Sequence, residues 1–434
     1  MSDRAIAAPR IKTALTPNQK RSFWAAWGGW TLDGMDSFIY ALILAPAMRE
    51  LLPKSGIAAS PANVFSYGAI LFALFMVGWG LALFWGPVAD RFGRSRTLLL
   101  TILWFSVFTL LAATSQGVWS LAFYRLMAGI GIGGEWAIGA SLVSESWPED
   151  RRVMGGGLMH TGYYFGFFLA ALANYFIGSN YGWRLMFVVG GSPALLVAYF
   201  YNRIHEPERW QQRKRALGAT SSMNSAFLAC FQPEYRRRTI LNSIYILASI
   251  AGLWAGSAYV PSAVTELARN SGRAADAAKL ASWAGAILAV GTILGALLSP
   301  ILAEWLGRRV TLGIFFATML IFIVVAFGYV FYMGPGALPW FLVCTFLLGV
   351  GGASFAVYSF WLPEQYRTEC RVSAFAFTTN VGRFGGALIS LALAAGIQNY
   401  GTLGKPVAVT ALFFALGLLL LPFAEETKGK GLPV

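Results

Sequence analysis

The chain has 434 residues, of which 57% are hydrophobic, 15% aromatic and only 12% charged, roughly half the ~25% charge of a soluble domain. That is more apolar surface than one soluble core can bury, and the stretches free of ionisable groups, Arg96 to Arg125 and Arg309 to Glu364, are long against the roughly 20 residues a hydrocarbon crossing needs. A net charge of +14 in so apolar a chain points to basic loops on one side of a membrane rather than to nucleic acid, and Cys230, Cys344 and Cys370, without C-x-x-C spacing, argue against a disulfide framework or a zinc site.

Twelve membrane spans are predicted, at about 23–48, 64–85, 97–114, 119–144, 154–177, 184–202, 239–260, 280–300, 310–332, 339–361, 372–396 and 406–423. Ahead of the first lie Arg4, Arg10, Lys12, Lys20 and Arg21, a retained cytoplasmic tail rather than a signal peptide. Span 1 carries Leu32-Asp33-Gly34-Met35-Asp36 near the midplane. An ionisable side chain there costs about 3 kcal/mol or more and is a functional candidate by default. The i, i+3 spacing puts both acids on one helix face, where they repel and favour an exchangeable proton; a helix–helix hydrogen bond is the plainer reading of each.

Span 4 starts outside and carries Arg125, Glu135 and Glu145 at ten-residue intervals, about 15 Å apart along a helix. Arg125 is within reach of Asp36, either as a switch that protonation releases or as a static ion pair. Glu135 follows Gly129-Ile130-Gly131-Ile132-Gly133-Gly134, a G-x-G-x-x-G spacing with no preceding strand, which here permits close helix packing rather than nucleotide binding. It is a second proton site or a polar tie. His160 in span 5 is read as a substrate or proton helper, or as a packing residue.

Between Arg203 and Arg238 the chain turns polar, with 8 basic residues, and divides into two six-span halves. The halves repeat: Gly86-Pro87-Val88-Ala89-Asp90-Arg91-Phe92-Gly93-Arg94 after span 2 is echoed by Pro300 to Arg308 after span 8, at an offset of 214. Glu145 and Arg152 after span 4 are echoed by Glu364 and Arg371 after span 10, at an offset of 219. Carboxylates and arginines at such corners can bridge neighbouring helices while glycine permits the turn. Gly86, Asp90, Arg91, Gly93, Arg94, Glu145, Arg152, Glu304, Arg308, Glu364 and Arg371 are therefore the candidate conformational latch. With both termini cytoplasmic, the inner loops and tails hold 24 Lys and Arg and the outer loops 7, with Arg125 and Arg383 in the membrane, which sets the orientation. Arg383 in span 11, with Asn380 one turn before it, has no acid nearby in its own helix. It needs a buried carboxylate from elsewhere or an anionic substrate.

Gly86 through Arg94 matches the loop G-x-x-x-D-R-x-G-R of the major facilitator superfamily in every fixed position, and the resemblance extends over essentially the whole chain. The second loop departs from it, with Trp305 where the first has Arg91, so a weaker second latch is expected. The resemblance implies an all-α membrane protein of two pseudo-symmetric six-helix bundles rocking about a midplane site. Its parts are an N-tail (1–22), a bundle (23–203), a basic linker (204–238), a second bundle (239–423) and a C-tail (424–434).

Spans 1, 5 and 7 line the cavity in that superfamily, so Tyr40, Tyr163, Tyr164, Trp254 and Tyr259 become candidate substrate contacts beside Arg383, Asn380 and His160. Asp36 with Arg125 resembles the span-1 aspartate and span-4 arginine of proton-linked sugar and organic-acid carriers. Leu32 to Asp36 resembles the D-G-x-D string of the aromatic-acid and sialate/organic-acid proton symporters. Arg367 stands where sugar carriers have proline, and Met154 to Tyr163 lacks the Gly-Pro antiporter signature. Proton symport of a small organic anion is therefore expected, coupled through Asp33, Asp36, Arg125 and Glu135. The expected setting is the lipid bilayer of a bacterial inner membrane, acting as a monomer, with neither cofactor, metal nor nucleic-acid partner. A neutral sugar or polyol symporter of the same fold is the alternative. A membrane enzyme is disfavoured because His160 and His205 are the only histidines, a sensor because the tails are short, and direct ATP drive because there is no Walker A sequence.

Overall fold

The computed structural model describes residues 13–192, 206–217, 227–400 and 402–433, all of whose regular elements are helices. The first, α1 (Pro17–Lys54), starts where Thr16 and Gln19 cap each other's backbone N–H groups, at 2.9 and 3.3 Å, with Pro17 opening the helix. There follow α2 (Pro61–Leu81), continued through one 3-10 turn by α3 (Trp85–Phe92), then α4 (Arg94–Ala112), α5 (Val118–Ser146), α6 (Arg152–Ala173) and α7 (Trp183–Gly191). In the second half come α8 (Glu208–Leu217) in the linker, α9 (Pro233–Ala258), α10 (Val260–Asn270), α11 (Ala277–Leu306), α12 (Arg308–Ile323), α13 (Ala337–Gly352), α14 (Ser354–Trp361), α15 (Arg371–Tyr400), α16 (Gly404–Val409) and α17 (Leu412–Leu420).

Eight described helical stretches are long and apolar enough to cross a membrane by length and composition alone. The helices of spans 1, 5 and 7, namely α1, α6 and α9, fall outside that set. Two acids and several glycines interrupt α1, and glycines, His160 and two tyrosines interrupt α6, whereas in α9 the side chains of 253–258 lie outside the described residues. Polar side chains inside a bilayer face the bundle interior, not lipid, so α1 and α6 lose apolarity because they line the centre. The end of span 6 lies outside the described residues.

The internal repeat extends to backbone packing. Gly78 of α2 faces the Leu126 carbonyl of α5 so closely that a Cβ would lie 2.1 Å from it, and Gly129 faces the Phe75 carbonyl at 2.5 Å. In the second half Gly291 faces the Phe346 carbonyl and Gly349 the Leu288 carbonyl, each at 2.3 Å. The same reciprocal pair of glycines joins α2 to α5 and α11 to α13, where small residues let helix backbones touch. Between halves, α15 packs on α2 and α11 on α6. These two seams exchange when span 2 is swapped for 8 and span 5 for 11, as a pseudo-two-fold requires.

Candidate functional site

Three buried assemblies occupy the interior. In the first, Arg125 of α5 meets Asp36 of α1, with Nη1 2.9 Å from Oδ2 and 3.1 Å from Oδ1, while Thr109 of α4 donates to Oδ1 at 3.0 Å. Asp36 and Arg125 are wholly inaccessible, and the rings of Phe75, Tyr40 and Phe187 stand 4.4, 4.8 and 5.8 Å from the guanidinium carbon. Among the described residues Nε and Nη2 of Arg125 have no partner, so there this charge depends on one carboxylate and aromatic faces. Tyr40, expected at the substrate, instead packs here, its hydroxyl 3.5 Å from the Gly68 carbonyl.

Asp33 sits one turn before Asp36 yet serves a different neighbour: Ser37 donates to Oδ1 at a long 3.5 Å, and Oδ2 has no donor. Among the described residues Glu135 has no donor for either oxygen, and it is 1% exposed. It leans on α1 one turn below Asp33, where a Cβ on Gly29 would lie 3.0 Å from its Oε2. Leaving a bare carboxylate so buried costs several kcal/mol, and a proton removes that cost.

The second assembly is a pocket between the halves, lined by Trp30, Trp79, Trp136, His160, Tyr163, Tyr164, Phe355 and Arg383. Its lining is aromatic or cationic throughout. Arg383 stacks on Trp79 of the opposite half, 3.6 Å from the ring centre. Among the described residues it forms no hydrogen bond or ion pair, Nε is buried without an acceptor, and the carboxylate that attracts it, Asp33, is not bonded to it. The His160 Nδ1 lies 3.4 Å from the Ser359 hydroxyl, leaving Nε2 unpartnered, as is the Tyr163 hydroxyl. Space within is about 20 Å³, room for about one water, so a solute enters only as the walls part.

Other expected contacts lie elsewhere. The Asn380 amide donates to the Gly133 carbonyl across the halves at 3.0 Å and ties α15 to α5 instead of lining the pocket. Tyr259 stands at the break between α9 and α10, and the side chain of Trp254 lies outside the described residues. Trp30, Trp79, Trp136 and Phe355 went unread in the sequence, because 16 tryptophans and 33 phenylalanines give no single ring a signal.

The third assembly closes the basic face. Glu145 takes Arg94 of its own half at 3.1 and 3.2 Å and Arg371 of the other half at 2.7 Å. Glu364 takes Arg308 of its own half at 3.0 Å and Arg152 of the other at 3.3 Å. Asp90 crosses as well, accepting from the Ser373 backbone N–H at 2.8 Å and hydroxyl at 2.6 Å, and so caps the N-terminus of α15. Gly86 lies flat against Ser373, where a Cβ would come 2.7 Å from its Cα.

Two expected members depart from this scheme. Arg91 is exposed and touches only the Phe92 ring, at 5.3 Å. Glu304, the counterpart of Asp90, is 62% exposed and reaches only Arg308 of its own half. Among the described residues the second loop thus lacks the crossing hydrogen bonds of the first, although Pro300 still crosses to pack on Gly157.

Two acids that the sequence analysis passed over complete the corners. Glu206 accepts from the backbone N–H groups of Arg94, Ser95 and Arg96 at 2.7, 3.1 and 3.1 Å, capping α4. Glu426 does the same for Arg308 and Arg309 at 3.0 and 3.1 Å, capping α12. Burial pushes the Glu426 carboxyl up, but these donors and the Thr427 and Lys428 N–H groups together hold it below the usual carboxylate range. Their 220-residue offset was the available signal, a third echo beside 214 and 219. Gly93 and Gly307 have φ of +117° and +94°, and a Cβ on Gly93 would stand 2.4 Å from Glu206. Gly93→Ala is expected to cost about 1–3 kcal/mol and to lower the melting temperature, as thermal unfolding in detergent would report.

On the opposite face Glu50 pins α1 to α7. It is bonded by Lys54 and Arg184 at 2.7 Å and by Trp183 at 2.8 Å, bonds that hold its carboxyl down at about 2, Lys54 contributing most.

Two pseudo-symmetric helical bundles around a central pocket are the arrangement of a membrane transporter. The chain belongs to the Major Facilitator Superfamily, whose sequence model matches residues 26–390. It is similar to the "Probable 4-methylmuconolactone transporter" of Cupriavidus pinatubonensis, 29% identical with 95% of this chain and 92% of that one covered. It is also similar to "Sialic acid transporter NanX" of Escherichia coli, 25% identical over 94% of this chain and 95% of that one. Its fold is that of the proton:xylose symporter XylE in complex with 6-bromo-6-deoxy-D-glucose, with a TM-score of 0.79, 18% identity, and coverage of 96% of this chain and 98% of that one.

Proposed function

We propose that this protein is a proton-coupled symporter of a small organic anion, a carboxylate such as a monocarboxylate, an aromatic acid or a sialic-acid-like sugar acid. It works by alternating access in a bacterial inner membrane, as a monomer with both termini cytoplasmic. The observation that carries the reading is Arg383, a buried guanidinium with no carboxylate partner among the described residues, set in an aromatic pocket between the halves. A guanidinium binds a carboxylate through two parallel hydrogen bonds, and aromatic walls suit an apolar body. The relatives named for a muconolactone and a sialic acid support the same class.

In the cycle we infer, the basic face is cytoplasmic and closed in this conformation by the Glu145 and Glu364 bridges. A proton on Asp36 releases Arg125, and return of the charge restores the pair, so the two forms favour different conformations. Asp33 and Glu135, poor in donors among the described residues, are further proton sites.

A thermal-shift screen of purified protein with monocarboxylates, aromatic acids, sialic acid and neutral sugars is the direct test. Carboxylates are expected to raise the melting temperature, and sugars are not. Stabilisation by sugars alone would replace the organic anion by a neutral sugar or polyol.

A further inference from the structure

We propose that residues 425–433, beyond the last span, act as a strap that locks the basic face shut and has to unseat before that face can open. The segment has no regular helix, and such ends are ordinarily loose. Here Thr427 and Leu432 are 1% and 4% exposed.

The strap's contacts fall on the two bridges that join the halves. Arg152, bonded to Glu364 across the seam, also donates to the Lys430 carbonyl at 3.5 Å. Arg371, bonded to Glu145 across the seam, donates to the Pro433 carbonyl at 2.5 Å. The Thr427 hydroxyl donates to Glu364 Oε2 at 2.5 Å, the oxygen that also accepts from Arg308 Nε, while Arg152 bonds Oε1. At its root the Glu425 carbonyl accepts from Trp361 at 3.1 Å, and Glu426 caps α12.

The strap therefore supplies acceptors to both seam-crossing arginines and a donor to one of the two carboxylates they bridge. Parting the halves swings Arg152 away from Glu364 and Arg371 away from Glu145. A segment rooted in the second half cannot then keep its bond to Arg152 in the first. That crossing bond, lost on opening, favours the closed state, and the bonds to Arg371 and Glu364 within the second half seat the strap where it forms; bonds to charged groups are the stronger kind. The inference uses alternating access only and stands whatever solute is carried.

The test needs no substrate. Spin labels go on cysteines at Arg96 and Val310, exposed positions on α4 and α12 at the basic face, with Cys230, Cys344 and Cys370 replaced by serine. Electron–electron distance distributions are then recorded in lipid nanodiscs. The parent is expected to give a predominantly short distance. Deleting residues 429–434 is expected to raise the ratio of long to short distances roughly tenfold, with Thr427→Ala giving a smaller shift in the same direction.

Lys428→Ala, which removes only an exposed bond to the Trp305 carbonyl, is expected to leave the distribution unchanged. Unchanged distributions in the deletion and in Thr427→Ala would overturn the strap, as would an equal shift in Lys428→Ala. If the deletion does not fold, Thr427→Ala decides alone, and no shift there overturns it. None of these outcomes bears on the organic-anion reading, which the thermal-shift screen tests separately.

Discussion

Asp36→Asn is expected to abolish accumulation driven by a pH gradient in proteoliposomes while counterflow exchange stays measurable. The geometry also predicts a cost in stability. Among the described residues Asp36 is the one carboxylate bonded to Arg125, whose remaining Nε and Nη2 already lack acceptors there. Breaking a buried pair by removing one partner costs about 3–5 kcal/mol, because the other charge stays behind. Asp36→Asn should therefore melt lower, and the double variant Asp36→Asn with Arg125→Gln should recover much of that loss without recovering accumulation. Stability and coupling are separated by that pair of results. Accumulation by Asp36→Asn at the parent level would remove Asp36 from the coupling step.

Arg383→Met is expected to behave in the opposite way when no ligand is present. A buried cation with no carboxylate bonded to it among the described residues costs several kcal/mol, of which stacking on Trp79 returns about 2 kcal/mol and attraction to Asp33 a further part. Removing the charge should raise the ligand-free melting temperature. For the carboxylate found by the screen, losing the only pocket cation among the described residues should cost about 2–5 kcal/mol of binding, about 30-fold or more in affinity. Arg383→Lys should fall between, since an ammonium cannot make the two-pronged contact. Calorimetric titration of the three proteins measures this directly, and full affinity in Arg383→Met would sink the organic-anion reading.

The positions that could be read in advance share one property: their residue type is expensive where it stands. Asp36, Arg125 and Arg383 stand out because a charge in the membrane is costly anywhere along the helix. The latch corners stand out because Glu145, Arg152, Glu364 and Arg371 recur at one offset. The aromatic box does not stand out, because Trp30, Trp79, Trp136 and Phe355 are residue types that also face lipid cheaply. Glu206 and Glu426 were missed for another reason: an acid in a polar loop is ordinary until the helix N-terminus it caps is known.

By itself the sequence determined the twelve-span architecture and the duplication, since both follow from local quantities: the length of apolar runs, the cost of charge in hydrocarbon and the spacing of repeated residues. Only the tertiary structure decided which partners those residues take. It gave Tyr40 to Arg125 rather than to the pocket, made Asn380 a tie between halves, left Arg91 outside the latch and exposed Glu304, the counterpart of Asp90. Each of those outcomes depends on helix rotation and on which helices cross at a given depth. Both are set by the sum of many small contacts between residues distant in sequence, such as the paired glycines Gly78 with Gly129 and Gly291 with Gly349, and no local pattern contains that sum.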